Sequence, residues 1–263
     1  MALMHVDFFS DVLGMCMQMD VILPQKTGAE RTYPTLYLLH GMSDDHTVWQ
    51  RKTSIERYVS ERNLAVVMPS THLGWYTDMA YGLPYFTYIT QELPAICRGF
   101  FRGMSEKRED TYIAGLSMGG YGALKAALSC PETYCAAAAL SAAIDVFIRA
   151  LREDKNSRNH YWESVFGKVE QVPGSENDLF ALAERCAKGG LTPALYQWCG
   201  TEDDLLDENR RMRDALLKLG YSLEYGESPG SHAWEYWDAE IRAVLDWIDR
   251  LRQRPAPEKR RAE

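Results

Sequence analysis

One serine lies in a Gly-x-Ser-x-Gly pattern, which reads GLSMG at positions 115–119. The pattern follows an apolar run at 111–114 that is typical of a strand, and it precedes a helical pattern at 118–128. A sharp turn from strand to helix exposes the serine hydroxyl, and the flanking glycines remove side chains that would crowd it. We therefore predict that Ser117 is the nucleophile of an acyl-transfer reaction.

A serine hydroxyl needs a general base, and on such a scaffold the chain order is Ser, then Asp or Glu, then His. His232 fits the base, because it follows the last predicted strand at 222–225 and precedes a helical pattern at 234–251. The acid is expected after the predicted strand at 194–199, where the chain reads GTEDD at 200–204. The spacing does not decide which carboxylate of this run reaches His232.

Acyl transfer also needs N–H groups that point at the oxyanion of the tetrahedral intermediate. One normally comes from the residue after the nucleophile, here Met118, and one from the loop after an earlier strand. That loop reads HGMS at 40–43, so Met42 is the expected second donor, with Gly41 allowing the backbone to turn. We interpret His40 as a structural residue of the same wall.

The elements that must position these residues alternate between β-rich apolar runs and helical patterns. This alternation predicts an α/β fold with a mostly parallel sheet flanked by helices. Residues 12–23 are expected to form an antiparallel pair at its edge. We expect a single domain that spans residues 1–263. The rhythm is broken at residues 142–190, which predicts a cap-like insertion there. We expect residues 252–263 to form a flexible tail. Strands are expected at 36–39, 64–68, 111–114, 135–140, 194–199 and 222–225, and helices at 54–62, 118–128, 208–219 and 234–251.

Composition excludes several other classes of protein. A formal net charge of −8 over 263 residues argues against a nucleic-acid partner. The chain has neither a secretory signal pattern nor an apolar run of about 18 residues, so we expect no membrane partner and a cytoplasmic location. Six cysteines without zinc-ligand spacing predict free thiols and no metal site.

Several segments together resemble the family of tributyrin esterases, bacterial feruloyl esterases and S-formylglutathione hydrolases, which have the α/β-hydrolase fold. The resemblance implies hydrolysis of small-molecule substrates, namely short acyl or aryl esters, by an enzyme that needs no cofactor or metal. It also implies Ser117 as nucleophile, His232 as base and Asp203 as acid, because the family pattern after that strand is Gly, two residues, then Asp. The segments are LYLLHGMSDDHTVW, GWYTDMAYG, IAGLSMGGYGALKAAL, CGTEDDLL and GSHAWEYW.

The same resemblance implies that Trp75 and Tyr76 lie near the substrate pocket, although burial in the core would suit them as well. We expect Trp162 of the insertion to lie over this pocket. These bulky residues predict a preference for short acyl chains. The motif HGMSD and Tyr121 depart from the S-formylglutathione hydrolase pattern, which leaves a glutathione thioester as the alternative substrate. A noncatalytic binding protein on the same scaffold is a further alternative, and exposed sheet edges are compatible with a homo-oligomer.

Overall fold

In residues 1–25, 32–153 and 160–253, which a computed structural model describes, eight strands form one sheet in the order β1-β2-β4-β3-β5-β6-β7-β8. β2 pairs antiparallel with both β1 and β4, and the other neighbours are parallel. The strands are β1 (Ala2–Ser10), β2 (Met15–Leu23), β3 (Thr35–Leu39), β4 (Ala65–Pro69), β5 (Thr111–Leu116), β6 (Ala136–Leu140), β7 (Ala194–Gly200) and β8 (Leu223–Ser228).

Helices cover both faces of this sheet. Helices α1, α2 and α10 contribute buried side chains to the core on one face, and α4, α5, α7, α8 and α9 to the core on the other. Strands β3 to β6 are buried along their whole length, which explains their nearly continuous apolar sequences. The helices are α1 (Val48–Lys52), α2 (Ile55–Val59), α3 (Tyr85–Thr87), α4 (Leu93–Phe100), α5 (Met118–Ser129), α6 (Val146–Glu153), α7 (Tyr161–Phe166), α8 (Leu179–Gly189), α9 (Leu206–Lys218) and α10 (Trp234–Gln253), with a π-helical turn at Tyr88–Glu92 joining α3 to α4.

The predicted α/β fold is confirmed, and the first antiparallel pair begins earlier than the sequence indicated. The pair consists of β1 and β2, and it starts at Ala2 instead of residue 12. Gly14, with a φ of 66°, lies in the turn that joins them. The polar side chains of His5 and Asp7 are exposed along β1, as expected of an edge strand, and they weaken its apolar signal in the sequence.

The interval 142–190 contains α6, α7 and α8. Helix α8 packs against α5 beside the sheet, so it serves as the crossover between β6 and β7. Helix α7 carries Trp162, whose ring lies 5.1 Å from that of Trp75. The cap-like role of the interval stays a prediction. At the other end, α10 continues to Gln253, and the rest of the predicted tail lies outside the described residues.

Within the described ranges, no helix is both long enough and apolar enough to span a bilayer. All six cysteines are free thiols, and three of them, Cys97, Cys186 and Cys199, are buried.

Lys125 on α5 is a buried titratable residue, with 2% of its surface exposed. Its ammonium donates hydrogen bonds to Thr77 Oγ1 and, at 2.6 Å, to Asn177 Oδ1. It also lies 4.9 Å from the centroid of the Phe86 ring. Burial lowers the pKa of Lys125 to about 7, although the carboxylates of Glu176 and Asp78 oppose this shift.

We predict that this burial makes stability depend on pH. In the unfolded chain Lys125 keeps its ordinary pKa of 10.5, so between about pH 7 and 10 the unfolded state binds more protons than the folded state. The free energy of unfolding should therefore rise with pH in this window, by up to about 1.4 kcal/mol per pH unit for one proton. The test is urea unfolding of wild type and Lys125→Met from pH 7.5 to 9. The free energy of unfolding of wild type minus that of Lys125→Met should rise over this range.

The matched control is Lys188→Met, which removes an exposed lysine of α8. Its difference from wild type should stay constant over the same pH range. A difference for Lys125→Met that is equally constant would contradict the lowered pKa.

Candidate active site

Ser117 lies at the sharp turn between β5 and α5, with a φ of 52° and a ψ of −118°. Its N–H donates to the carbonyl of Leu140 on the neighbouring strand, at 2.9 Å. A Cβ on Gly119 would lie 2.6 Å from the carbonyl oxygens of Leu39 and His40, so only glycine allows α5 to approach β3 this closely. These contacts hold the unusual backbone conformation that presents the Ser117 side chain at the carboxyl end of the sheet.

A chain of two hydrogen bonds joins Ser117 to His232 and Asp203. The distance from Ser117 Oγ to His232 Nε2 is 3.0 Å, and that from His232 Nδ1 to Asp203 Oδ2 is 2.8 Å. Because a carboxylate only accepts, Nδ1 carries the proton and Nε2 is left to accept from the serine hydroxyl. This arrangement can move a proton from Ser117 to His232 while Asp203 stabilises the imidazolium.

Asp203 is held as a carboxylate in a buried position. Its side chain is fully shielded from solvent, whereas that of His232 is 38% exposed. Burial by itself would raise the pKa of Asp203, but hydrogen bonds from His232 and from the N–H of Leu205, at 2.9 Å, outweigh it and lower the pKa below its ordinary value. Asp204 is exposed. The spacing in the sequence did not decide between the two adjacent carboxylates, and in the structure it is Asp203 that contacts His232.

The loops that carry Asp203 and His232 are joined to each other. The N–H of Glu202 donates to the carbonyl of Gly230 at 2.9 Å, and the Glu202 carboxylate accepts from the N–H of Gly230. On the other side of the base, the Trp237 ring lies edge-on to the His232 ring at 4.8 Å between centroids. Neither role was predictable from the sequence patterns. In the sequence, Glu202 is marked only by its adjacency to Asp203, and Trp237 only by its position in the first turns of the helix after His232.

The loop after β3 lies against the nucleophile. A Cβ on Gly41 would lie 3.8 Å from Ser117 Cβ and 2.7 Å from Leu116 Cδ1. Met42 lines the same cavity as Ser117. Met118 is the first residue of α5, so its N–H has no acceptor within the helix. This geometry is compatible with the two predicted oxyanion donors.

A cavity of about 490 Å³ opens over Ser117. Apolar and aromatic groups form part of its wall, and Asp44, Asp204 and Arg149 bring charge to it. Arg149 comes from α6, in the interval predicted as a cap, and no motif in the sequence indicated it. The cavity is lined by Gly41, Met42, Asp44, Leu116, Ser117, Arg149, Asp203, Asp204, Leu205, His232, Trp234 and Trp237.

The three aromatic residues predicted at the pocket are almost fully buried. Trp75, Tyr76 and Trp162 are only 2%, 1% and 3% exposed, and none of them is among the described residues that line the cavity. Trp75 Nε1 donates to Tyr161 Oη at 2.8 Å. Tyr76 Oη donates to the carbonyl of His40, also at 2.8 Å. The rings of Trp75 and Trp162 pack on each other, and all three residues belong to the same hydrophobic core.

A protein-family model described as "Putative esterase" matches residues 10–248, which is most of the chain. The chain belongs to this esterase family. The predicted resemblance is thereby confirmed, and so is the assignment as a carboxylic ester hydrolase. The alternative of a noncatalytic binding protein is set aside for the same reason.

Relatives of this esterase support the same assignment. This chain is 32% identical to an acetyl esterase of Caldicellulosiruptor saccharolyticus, over 95% of this chain and 99% of the relative. The fluorophosphonate-binding serine hydrolase F of Staphylococcus aureus, solved with substrate bound, is 34% identical with a TM-score of 0.86, over 94% of this chain and 98% of that one. An S-formylglutathione hydrolase of the same organism is also 34% identical, with a TM-score of 0.84 and the same coverage.

The two departures from the S-formylglutathione hydrolase pattern do not separate this esterase from that branch, because the two S. aureus structures are similar to it to nearly the same degree. Tyr121 is fully buried, and its hydroxyl donates to the carbonyl of Asn177 at 3.0 Å. Tyr121 is therefore a residue of the core and is not among the described residues that line the cavity.

Proposed function

We propose that this enzyme hydrolyses small carboxylic esters with short acyl groups, through an acyl-enzyme formed on Ser117. The observation that carries the proposal is the hydrogen-bonded chain Ser117–His232–Asp203 in the wall of a cavity. A nucleophile, a base in contact with it and a group that orients the base are the parts that acyl transfer requires.

In the acylation half of the reaction, Ser117 Oγ attacks the ester carbonyl carbon and its proton passes to His232 Nε2. The negative charge that develops on the carbonyl oxygen is stabilised by the N–H groups of Met42 and Met118. When the tetrahedral intermediate collapses, the bond to the leaving alcohol breaks and His232 returns the proton to that oxygen. Asp203 keeps Nδ1 protonated and offsets the charge of the imidazolium.

In the deacylation half, water takes the place of the alcohol. His232 accepts a proton from the water as it attacks the acyl carbon, and the same two N–H groups stabilise the second oxyanion. The collapse of this intermediate releases the carboxylic acid and returns the proton to Ser117 Oγ. Because His232 is 38% exposed, water from the cavity has access to it.

The sharpest test is covalent labelling of the wild-type protein with a fluorophosphonate. The probe needs an activated serine, so we expect one label per chain, located by mass spectrometry on the peptide that contains Ser117. Labelling should abolish hydrolysis of p-nitrophenyl acetate in proportion to its extent. Full labelling at another residue, or full labelling with intact hydrolysis, would contradict the proposal.

We predict that the enzyme prefers short acyl chains. The cavity of about 490 Å³ has Trp234 and Trp237 in its wall, and a wall of large rings leaves little length for an acyl tail. The relative named as an acetyl esterase supports the same preference. Across p-nitrophenyl esters of graded acyl length, kcat/KM should be highest for acetate or butyrate and at least about tenfold lower for a twelve-carbon acyl group. A maximum at the longest chain would reject this prediction.

A second candidate is hydrolysis of a glutathione thioester, which the similarity to an S-formylglutathione hydrolase favours. The mechanism is unchanged and only the leaving group differs, so the comparison should hold the acyl group constant. S-acetylglutathione and p-nitrophenyl acetate meet this condition. A much larger kcat/KM for the thioester, despite its poorer leaving group, would replace the ester proposal with the thioester one.

A further inference from the structure

His40 connects the loop after β3 to the segment 71–76. Its Nδ1–H donates to the carbonyl of Gly41 at 2.7 Å, and its Nε2 accepts from the N–H of Thr71 at 3.0 Å. One nitrogen donates and the other accepts, which is the pattern of a neutral imidazole. The ring is 1% exposed, and burial lowers the pKa of His40 to about 4, so these contacts persist at neutral pH.

Tyr76 makes a second contact with the same loop. Its Oη donates to the carbonyl of His40 at 2.8 Å, and its ring lies 5.8 Å from the His40 ring. Trp75 and Tyr76 have φ values of 51° and 50°, a region that bulky residues rarely adopt. Such a conformation persists only where the surroundings enforce it, and the nearly complete burial of both side chains does so here.

These contacts determine where the Met42 N–H points. The carbonyl of Gly41 and the N–H of Met42 belong to one planar trans peptide, in which the two groups point in opposite directions. With the Gly41 carbonyl held by the buried His40 ring, the Met42 N–H must point away from that ring. The His40 carbonyl, at the preceding peptide, is held by Tyr76, so two successive peptide planes are restrained.

We propose that Tyr76 is a positioning residue for the reaction: through its hydrogen bond to the His40 carbonyl, it holds the 40–42 loop so that the Met42 N–H meets the oxyanion. The proposal rests on the proposed function, because it requires a tetrahedral intermediate at Ser117. It also assigns a role to the strained segment 71–76, none of whose residues lines the cavity.

The variant Tyr76→Phe tests this, because it removes one hydroxyl and keeps the ring. Loss of a whole oxyanion-hole donor costs about 10²- to 10³-fold in kcat, so a misplaced donor should cost about 10- to 100-fold. KM for p-nitrophenyl acetate should change less than about twofold, since the ground-state ester gains little from the donor. The affinity of a short-chain trifluoromethyl ketone, which forms an anionic tetrahedral adduct with the serine, should fall by the same factor as kcat.

The matched control is Tyr221→Phe. Tyr221 is also buried, and its Oη donates to the carbonyl of Ala183 at the same distance of 2.8 Å, but this bond ties α8 and does not involve the loop. The two variants should lose similar thermal stability, and only Tyr76→Phe should lose kcat and ketone affinity. Equal kinetics for the two variants, or a loss confined to KM, would overturn the proposal.

A second pair of variants covers the possibility that Tyr76→Phe does not fold. His40→Asn keeps an N–H donor near the position of Nδ1, whereas His40→Leu removes it. We expect kcat to be partly retained in His40→Asn and lower by about tenfold or more in His40→Leu. Equal kcat values would count against the role of the loop contacts. Failure of the proposed function is distinguishable, because wild type itself would then lack turnover and the label on Ser117.

Discussion

Replacing Ser117 with alanine should remove measurable ester hydrolysis and leave the fold intact. Alanine loses only the hydroxyl, and the backbone contacts of the turn, including the hydrogen bond to Leu140, remain. In a serine protease template, loss of the nucleophile costs about 10⁶-fold in kcat. We expect a comparable loss here, measured as p-nitrophenol release, together with complete loss of fluorophosphonate labelling.

The control for this variant is Ser129→Ala, at the last residue of the same helix α5. It removes a half-buried serine hydroxyl from the helix end opposite Ser117, so turnover and labelling should stay within about twofold of wild type. Thermal unfolding of both variants shows whether the fold is kept. A burst of p-nitrophenol from Ser117→Ala at the wild-type rate would show that another residue is the nucleophile.

The variant Asp203→Asn should lower kcat by at least about a hundredfold. Asparagine keeps the shape of the side chain but loses the charge, and its amide allows the wrong tautomer of His232. In the protease template the corresponding change costs about 10⁴-fold. The Asp203 carboxylate is buried and lies 2.8 Å from His232 Nδ1, so the same physical argument applies to this site.

Asp204→Asn is the natural control, because it makes the same chemical change at the adjacent position. Asp204 is exposed at the cavity wall, so we expect its loss to change kcat by only a few fold. Both variants need unchanged thermal unfolding for the comparison to be valid. If Asp204→Asn is the crippled variant and Asp203→Asn stays near wild type, the assignment of the acid is wrong.

Sequence patterns predicted the order and type of most elements, because the buried strands and amphipathic helices of this fold have strong local signals. The predicted boundaries around β5, α5, β7 and α10 lie within two residues of those in the structure. Less was predictable at β1, since an edge strand with polar side chains lacks the continuous apolar run of a buried one. The packing of α8 against α5 was not predictable, because the interval 142–190 lacks the short strand–helix rhythm of the rest of the chain.

For the candidate site, the sequence indicated Ser117 through a local motif and His232 through its place in the chain order, and both can be recognised without knowledge of tertiary contacts. The choice between Asp203 and Asp204 needed the family resemblance, because spacing along a chain does not say which of two adjacent side chains turns inward. In the structure, the loop hydrogen bonds of Glu202 to Gly230 and the contact with Leu205 determine this orientation.

What the sequence by itself determined about this protein is the α/β fold, the esterase family and the identity of a serine and a histidine suited to acyl transfer. Only the tertiary structure decided which aromatic residues face the cavity. Trp234 and Trp237 line it, whereas Trp75, Tyr76 and Trp162 are buried and are not among its lining residues. An aromatic ring suits a core and a pocket equally well, so its place depends on contacts between segments distant in sequence, which no local pattern encodes.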